Sequence, residues 1–145
     1  MFNGRFEHNI DEKGRLVLPN KFRVDLTEGA MITKGFDGCL QIYTAESWNQ
    51  TLAELRSKPF TSQTVRDFKR VLIGNASDVV LDKAGRINIP NYLLKLAGIS
   101  KEVTIVGMDE TIEIWSTEVY IRKQTSNEDS FEANAEQLSF YGREN

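Results

Sequence analysis

The chain has 145 residues and a formal net charge of −3, which is the size of one domain or of two small repeats. Hydrophobic residues make up 40% and charged residues 27%, a composition that excludes wholesale disorder, collagen and a disulfide scaffold. One cysteine and one histidine exclude an internal disulfide and a metal site built from cysteines alone or from paired histidines. No apolar run approaches the roughly 18 residues of a membrane-spanning helix, and the N-terminus lacks an apolar signal segment, so we expect a cytoplasmic protein.

Charge is distributed unevenly along the chain. Residues 1–101 carry 15 Lys and Arg against 11 Asp and Glu, which is +4, whereas residues 102–145 carry 3 against 10, which is −7. The acidic total disfavours nucleic acid as a partner. A mildly basic body with an acidic tail is nevertheless able to present a cationic face, so the total charge does not decide whether the chain binds nucleic acid.

An internal repeat is the strongest signal in the sequence. The segment DEKGRLVLPNKF, residues 11–22, aligns with DKAGRINIPNYL, residues 82–93, at an offset of 71. Residues 31–48 align with residues 103–120 at an offset of 72. A unit of about 45 residues rarely supports a core of its own. We therefore expect the two units to share one core through a common β-sheet or interlocked hairpins.

Each unit begins with a predicted hairpin. In the Asp-x-x-Gly-Arg segment, Asp accepts backbone hydrogen bonds two residues on and Gly supplies a positive φ, so this segment predicts a tight turn. The predicted strands that flank the two turns are residues 6–10, 16–18, 79–81 and 87–89. A second hairpin closes each unit, because Ile105, Ile112 and Ile114 alternate in part with polar neighbours.

The predicted helices follow the strands in chain order. Proline pre-sets φ at a helix start and glycine favours a helix end, so short helices are expected at about residues 19–26 and 90–97. Trp48, Leu52 and Leu55 recur at helical spacing and predict a helix over residues 46–57. A second helix over residues 62–73 is predicted in the same way from Val65, Phe68 and Leu72, with Ser62 or Thr61 as its cap.

Two segments have surfaces whose role the sequence leaves open. Arg66, Lys69 and Arg70 share one face of the second helix, and this face is either solvated or an additional phosphate contact. Phe131, Ala135 and Leu138 keep helical spacing in the acidic tail, which allows a terminal helix that either packs on a neighbouring subunit or frays.

Catalytic motifs are absent from the sequence. No nucleotide-binding, nucleophile-elbow or metalloprotease motif is present, and Asp11-x-Lys13-Gly14 lacks the spaced carboxylates of a calcium loop. Asp11 and Asp82 resemble a carboxylate dyad only in being paired, and a hydrolase that uses them is an alternative that Asp→Asn variants would decide. Cys39 and His8 are expected to have structural roles. We therefore predict no enzyme, no metal and no cofactor.

The turns carry the candidate binding residues. Arg15 and Arg86 each follow a turn, and a guanidinium suits phosphate oxygens or the guanine edge. Alternatively, each arginine only pairs with the aspartate four residues before it; such a pair would also aim the guanidinium. The candidate DNA contacts are Arg15, Arg86, Lys13 and Lys83, with Arg5 and Lys21 as weaker candidates. The expected loop-shaping residues are Asp11, Gly14, Asp82 and Gly85.

The doubled D-x-x-x-R motif with its following proline, after an initial MFNGRF, resembles the MraZ family. The resemblance covers roughly residues 1–120 and implies membership of the SpoVT/AbrB-like swapped-hairpin group. It implies an α+β fold in which two swapped-hairpin, double-split β-α-β repeats share one core and are joined by linking helices. The expected divisions are repeat 1 at residues 5–48, a helical linker at 49–75, repeat 2 at 76–120 and an acidic tail at 121–145.

The same resemblance implies a function. MraZ proteins are bacterial transcriptional regulators that bind short direct repeats in double-stranded DNA upstream of the division and cell-wall gene cluster, including their own operon. The family forms ring-like homo-oligomers in the cytoplasm and on the nucleoid. A ring of weakly cationic loops would explain how an acidic chain binds DNA, and the acidic tail is then expected away from the rim. An antitoxin-like protein-interaction module of the same fold is the alternative.

Overall fold

The computed structural model describes residues 1–138 of the chain. These residues form eight strands: β1 (Arg5–Asn9), β2 (Arg15–Val17), β3 (Met31–Lys34), β4 (Leu40–Tyr43), β5 (Ser77–Asp78), β6 (Arg86–Asn88), β7 (Glu102–Met108) and β8 (Thr111–Ser116). They also form six α-helices: α1 (Asn20–Arg23), α2 (Ala45–Arg56), α3 (Gln63–Leu72), α4 (Asn91–Leu96), α5 (Thr117–Asp129) and α6 (Phe131–Gln137). A short 3-10 helix, Val24–Leu26, follows α1. None of these helices has the length and apolar character needed to cross a membrane.

The two halves of the chain are interleaved in the sheets. Six strands form one antiparallel sheet in the order β1-β7-β8-β4-β3-β5, so each outer pair joins strands from different repeats. The central pair, β4 with β8, also joins the two repeats. The remaining strands, β2 and β6, pair antiparallel as a separate two-stranded ribbon. Neither repeat is able to form these sheets without the other, which confirms the predicted swapped-hairpin fold with one shared core.

The ribbon packs on one face of the six-stranded sheet. Leu16 and Ile87 are directly opposite each other in the ribbon and are almost completely buried. They belong to one apolar cluster with sheet residues such as Ile42, Ile105 and Ile114. Alternation along a strand sends every second side chain to the same face, so the core lies between the sheet and the ribbon.

The long helices pack on the opposite face of the sheet. Trp48 of α2 packs on Tyr43 of β4, with ring centroids 5.1 Å apart. The hydroxyl of Thr33 donates to the carbonyl oxygen of Leu72 at the end of α3, at 2.6 Å. The α5 helix covers the other half of this face, where Tyr120 packs on Trp115. The molecule therefore has three layers, with the ribbon and the long helices on opposite sides of the sheet.

Most predicted elements are confirmed by the structure, but the predicted first hairpin of each unit is wrong. The strands on either side of each turn pair with other strands: β1 pairs with β7, β5 with β3, and β2 with β6. The helices predicted at 46–57 and 62–73 are α2 and α3, and Ser62 caps α3 by accepting a hydrogen bond from the N–H of Val65. The strand predicted at residues 79–81 is wrong, because the strand before the second turn is β5 and ends at Asp78. Its partner β3 begins at Met31, so only one further bond forms, from the N–H of Val79 to the carbonyl oxygen of Ala30.

Corresponding helices follow the two halves. The predicted linker contains most of α2 and all of α3, and these helices follow β4 as α5 and α6 follow β8. The predicted terminal helix is confirmed as α6, which contains Phe131. The last seven residues of the predicted tail, 139–145, lie outside the described residues.

Candidate nucleic-acid interface

The first turn, residues 11–15, is organised around the carboxylate of Asp11. Its Oδ1 accepts hydrogen bonds from the backbone N–H groups of Lys13 and Arg15, at 2.9 and 2.8 Å. Its Oδ2 accepts from the Nε of Arg15 at 2.7 Å. Gly14 has a φ of +81° and donates its N–H to the carbonyl oxygen of Asp11. We name this segment turn 1; it is a tight turn followed by a left-handed glycine.

The second turn, residues 82–86, has the same internal bonds, and we name it turn 2. Asp82 Oδ1 accepts from the backbone N–H groups of Ala84 and Arg86, each at 2.9 Å. Asp82 Oδ2 accepts from the Nε of Arg86 at 2.8 Å, and Gly85 has a φ of +78°. Corresponding bonds in the two turns agree to within 0.1 Å. The repeated sequence therefore builds the same local structure twice.

The ribbon places the two arginines on one surface. Arg15 is opposite Asn88, and Arg86 is opposite Val17, so the arginines are diagonal neighbours across β2 and β6. Diagonal positions of this kind have Cα atoms about 7–8 Å apart. Because Leu16 and Ile87 between them face the core, Arg15 and Arg86 face away from it. Their side chains are 32% and 33% exposed, so neither is hidden inside the protein.

Each arginine side chain is held by one edge only. In both residues the Nε bonds to the aspartate, and the Nη atoms make no hydrogen bond to any described residue. No buried side-chain nitrogen or oxygen in residues 1–138 lacks a partner, so these Nη atoms remain accessible to solvent. An aspartate that anchors Nε leaves the outer edge of the guanidinium available for an anion, which is the edge that binds phosphate or guanine.

The two aspartates are structural anions. The pKa of Asp11 is lowered, chiefly because the backbone N–H of Arg15 donates to the carboxylate, and the pKa of Asp82 is lowered chiefly by the N–H of Arg86. A catalytic carboxylate dyad requires two adjacent carboxyls that share a proton, which raises one pKa. Here each carboxylate is engaged by its own turn, so the geometry fits a loop-shaping role and not a dyad.

Each turn is also bonded to the strand of the other repeat. The N–H of Leu18 donates to the carbonyl oxygen of Gly85 at 3.0 Å, and the N–H of Ile89 donates to that of Gly14 at 2.8 Å. The turns therefore depend on each other through the ribbon as well as on their own sequences. This cross-bonding holds both arginines relative to one rigid frame.

The predicted lysines lie on the exposed parts of the turns but at different positions. Lys13 is the third residue of turn 1, whereas Lys83 is the second residue of turn 2. Lys101 is a cation that the sequence analysis did not select. It lines an open groove beside turn 1 together with Lys13 and Arg15. No local pattern marks Lys101, because it reaches the turn through the pairing of β1 with β7.

The two weaker candidates, Arg5 and Lys21, make contacts away from Arg15 and Arg86. Arg5 is on β1 and its guanidinium lies over the ring of Tyr120, 5.8 Å from the centroid, on the sheet face that carries α5. That is the face opposite the ribbon. Lys21 donates to the side-chain oxygen of Asn3 at 3.2 Å and lies over the ring of Phe6. Neither residue is brought beside Arg15 and Arg86 by the contacts that it makes.

The region around the ribbon is cationic. The residues around the ribbon, 10–27 and 81–100, include seven Lys and Arg and four Asp and Glu, although the whole chain is acidic. The α5 helix, which contains three acidic and two basic residues, packs on the other face of the sheet, where the hydroxyls of Thr104 and Thr117 are 2.9 Å apart. Among the described residues, the start of the acidic tail therefore lies away from the ribbon, as the sequence analysis expected.

The remaining candidate groups are not arranged for chemistry. Cys39 is buried, and its burial raises the pKa of its thiol to about 12, so it is a poor nucleophile. His8 is half-buried on β1. Within residues 1–138 no group of three or more carboxylate, thiol or imidazole side chains is positioned to hold a metal ion.

A family model with the description "MraZ protein, putative antitoxin-like" matches the chain twice, over residues 1–71 and 72–140. The chain belongs to the MraZ family. Each match contains one Asp-x-x-Gly-Arg turn and continues into the helices after the second hairpin. The family resemblance seen in the repeated motif is thus confirmed over almost the whole chain. The description places the chain among regulator-like, antitoxin-like proteins.

Proposed function

We propose that this chain is a sequence-specific DNA-binding transcriptional regulator, and that the outer surface of the ribbon is its DNA-binding surface. Arg15 and Arg86 are the principal contacts, and Lys13 and Lys83 support them through phosphates. The regulated DNA would be short direct repeats upstream of the division and cell-wall gene cluster, including the operon that encodes the chain. This is the function expected of the family, and it would operate on the nucleoid.

One observation carries this proposal. Two arginines with identical anchoring lie side by side on one exposed surface, each with its Nη edge accessible. Holding a guanidinium by Nε removes side-chain freedom that would otherwise be lost on binding. Two pre-oriented guanidiniums suit two anionic or guanine sites on a single duplex. A turn designed only for stability would not require the Nη edges to face solvent.

The acidic net charge is compatible with this surface. The negative residues of α5 lie on the other side of the sheet, so their repulsion of DNA is weakened by distance and by salt. A homo-oligomer, and a ring in particular, would place several ribbons along one DNA molecule. Linked sites raise the overall affinity without a strong contact at any single site.

A gel-shift titration against the DNA upstream of the chain's own coding sequence tests the proposal. We expect a specific complex that survives scrambled competitor DNA. Replacing Arg15 and Arg86 together by alanine should weaken binding at least about thirtyfold, because each such contact contributes about 1–3 kcal/mol and about 1.4 kcal/mol corresponds to a factor of ten. The temperature of thermal unfolding should change little, since exposed ion pairs contribute little to stability.

Arg122→Ala provides the matched control. Arg122 is also paired with a carboxylate, at 3.5 Å from Glu118, but it is exposed on α5 on the opposite side of the sheet. Its loss should leave DNA affinity unchanged. If the two turn arginines and Arg122 proved equally dispensable, the ribbon would not be the DNA-binding surface. If the double variant failed to fold, the arginines would be structural.

Salt dependence provides an independent measure. Each phosphate contact contributes about −0.9 to the slope of log affinity against log salt concentration. The wild-type chain should give a slope of several units, and the double variant a shallower one. A nearly flat slope for the wild-type protein would contradict a DNA-binding surface made of several cations.

The family description supports a second candidate function, an antitoxin-like protein-interaction module. The doubled unit within one chain argues against it, because antitoxins of this fold usually carry one such unit and a separate partner-binding tail. The two functions differ in what the turn arginines do. A protein partner that binds the Arg15→Ala, Arg86→Ala variant as tightly as wild type, together with no specific DNA complex, would favour the antitoxin-like function.

A further inference from the structure

A third guanidinium lies beside turn 2, and it comes from the other repeat. Arg23 ends α1, and its Nε donates to the carbonyl oxygen of Leu18 at 2.9 Å. The guanidinium lies directly against Gly85, where the Cβ of any other residue would overlap it. Glycine at position 85 therefore serves two purposes. It permits the positive φ of the turn, and it leaves space for Arg23.

The charge of Arg23 is available at the surface. Arg15 and Arg86 are each paired with an aspartate, whereas Arg23 forms no ion pair with any described residue. Its Nη atoms make no hydrogen bond within residues 1–138, and no buried polar side-chain atom there lacks a partner. The Nη edge of Arg23 is therefore in contact with solvent while its Nε is anchored.

Turn 1 has no equivalent of this guanidinium. At the repeat offset of 71, the counterpart of Arg23 is Leu94, and its Cδ1 lies 3.8 Å from the position that a Cβ on Gly14 would occupy. Leu94 is buried. The same place in the fold thus holds an apolar side chain beside one turn and a fixed cation beside the other.

The turns themselves add to this difference. Turn 1 contains two acidic and two basic residues and is neutral, whereas turn 2 contains one acidic and two basic residues and carries +1. Arg23 raises the local charge at turn 2 to +2. Lys101 raises it at turn 1 to +1, but through an exposed, flexible side chain. The two ends of the ribbon are therefore the same in backbone structure and unequal in charge.

We infer that Arg23 is a phosphate-contacting residue at turn 2 that makes this end of the ribbon contribute more to DNA affinity than the end at turn 1. The inference rests on the proposed DNA-binding function and assigns a DNA-contacting role to a residue outside the repeated motif. Two ribbon ends with the same cations would contribute equally. One additional fixed guanidinium at a single end removes this equality.

Two variants separate a charge role from a structural role for Arg23. Arg23→Gln keeps a side-chain N–H donor but removes the charge, whereas Arg23→Lys keeps the charge. If Arg23 contacts a phosphate, Arg23→Gln should reduce the magnitude of the salt slope by about 0.9, and Arg23→Lys should retain it. Affinity for the upstream DNA fragment should fall about tenfold in Arg23→Gln. An unchanged slope in Arg23→Gln would overturn the inference.

The difference between the two ends is measured with a matched variant at turn 1. Lys101→Gln removes the exposed cation beside turn 1. On the upstream DNA fragment, affinity should fall more in Arg23→Gln than in Lys101→Gln, because a guanidinium that is already held by its Nε loses less side-chain freedom on binding than an exposed lysine does. Equal losses in the two variants, in a protein that binds specifically, would overturn only this inference. Absence of specific binding would overturn the proposed function as well.

Discussion

Turn 1 and turn 2 have the same internal hydrogen bonds but different neighbours. Asp11 and Asp82 accept the same three bonds, and Gly14 and Gly85 have nearly the same φ. Beside the glycines, however, the neighbours differ. A Cβ on Gly14 would approach the carbonyl oxygen of Ile89, with Leu94 farther away, whereas a Cβ on Gly85 would overlap the guanidinium of Arg23. A repeated motif thus guarantees a repeated backbone, but the chemistry around it depends on residues that the motif does not include.

The largest effect on stability is expected from the buried residues of the ribbon, because both turns are attached to it. Leu16 and Ile87 form one cross-strand pair and are 0% and 2% exposed. Leu16→Ala and Ile87→Ala should each lower the free energy of unfolding by about 2–5 kcal/mol, because each removes buried methyl groups and leaves a cavity. Denaturant titration measures this loss. Val24→Ala, at a 71% exposed position, should cost less than about 0.5 kcal/mol. Strongly unequal losses at 16 and 87 would mean that the halves do not share the ribbon equally.

A smaller effect is expected from the turn glycines, and here the turns should diverge. Gly14→Ala and Gly85→Ala both place a Cβ in the left-handed region, which costs roughly 1–2 kcal/mol in addition to any steric overlap. At position 85 the added Cβ also displaces Arg23. The temperature of thermal unfolding should therefore fall in both variants.

The salt slope of DNA binding distinguishes the two glycine variants. Gly85→Ala should give a shallower slope than Gly14→Ala, because only the former moves an unpaired cation away from turn 2. Equal slopes in the two variants would indicate that Arg23 contacts no phosphate. Unchanged thermal unfolding in both variants would indicate that the turns tolerate a different backbone conformation.

The two turns should contribute similarly to the loss of stability at low pH. The pKa values of Asp11 and Asp82 are lowered from 3.8 in the folded protein, so the unfolded chain binds more protons below that pH. Their contribution to stability is therefore complete above about pH 5 and is lost as the pH falls through the lowered pKa values. Asp11→Asn and Asp82→Asn should each flatten this acid limb by a similar amount in melts recorded from pH 5 to pH 2. An acid limb that both variants leave intact would show that other groups cause it.

The smallest effect is expected from the cations on α3. Arg70 is paired with Asp67 at 2.8 Å, and α3 packs on the sheet face opposite the ribbon. Lys69→Ala combined with Arg70→Ala should therefore change DNA affinity by less than about twofold in the gel shift, since exposed charges far from the duplex are screened. A tenfold loss would extend the DNA-binding surface around the edge of the sheet.

The features that the sequence predicted correctly depend on interactions between near neighbours. The turns, the helix α2 and the Ser62 cap all involve bonds between residues three or four positions apart, so local residue types determine them. The shared core followed from the repeat, because a unit of that size cannot bury a core alone. The strand predicted at 79–81 failed for the opposite reason. A strand needs a partner, and β3 begins too late to provide one.

The surroundings of the turns were decided by tertiary structure alone. Pairing of β2 with β6 brings Arg15 and Arg86, 71 residues apart in sequence, onto one surface. The exchange of strands between the repeats also brings Arg23 to Gly85 and Lys101 to turn 1. These contacts join residues that are far apart along the chain, and no spacing or composition encodes them. The sequence by itself determined two turns with the same backbone structure, and packing of one repeat against the other gave them different neighbours.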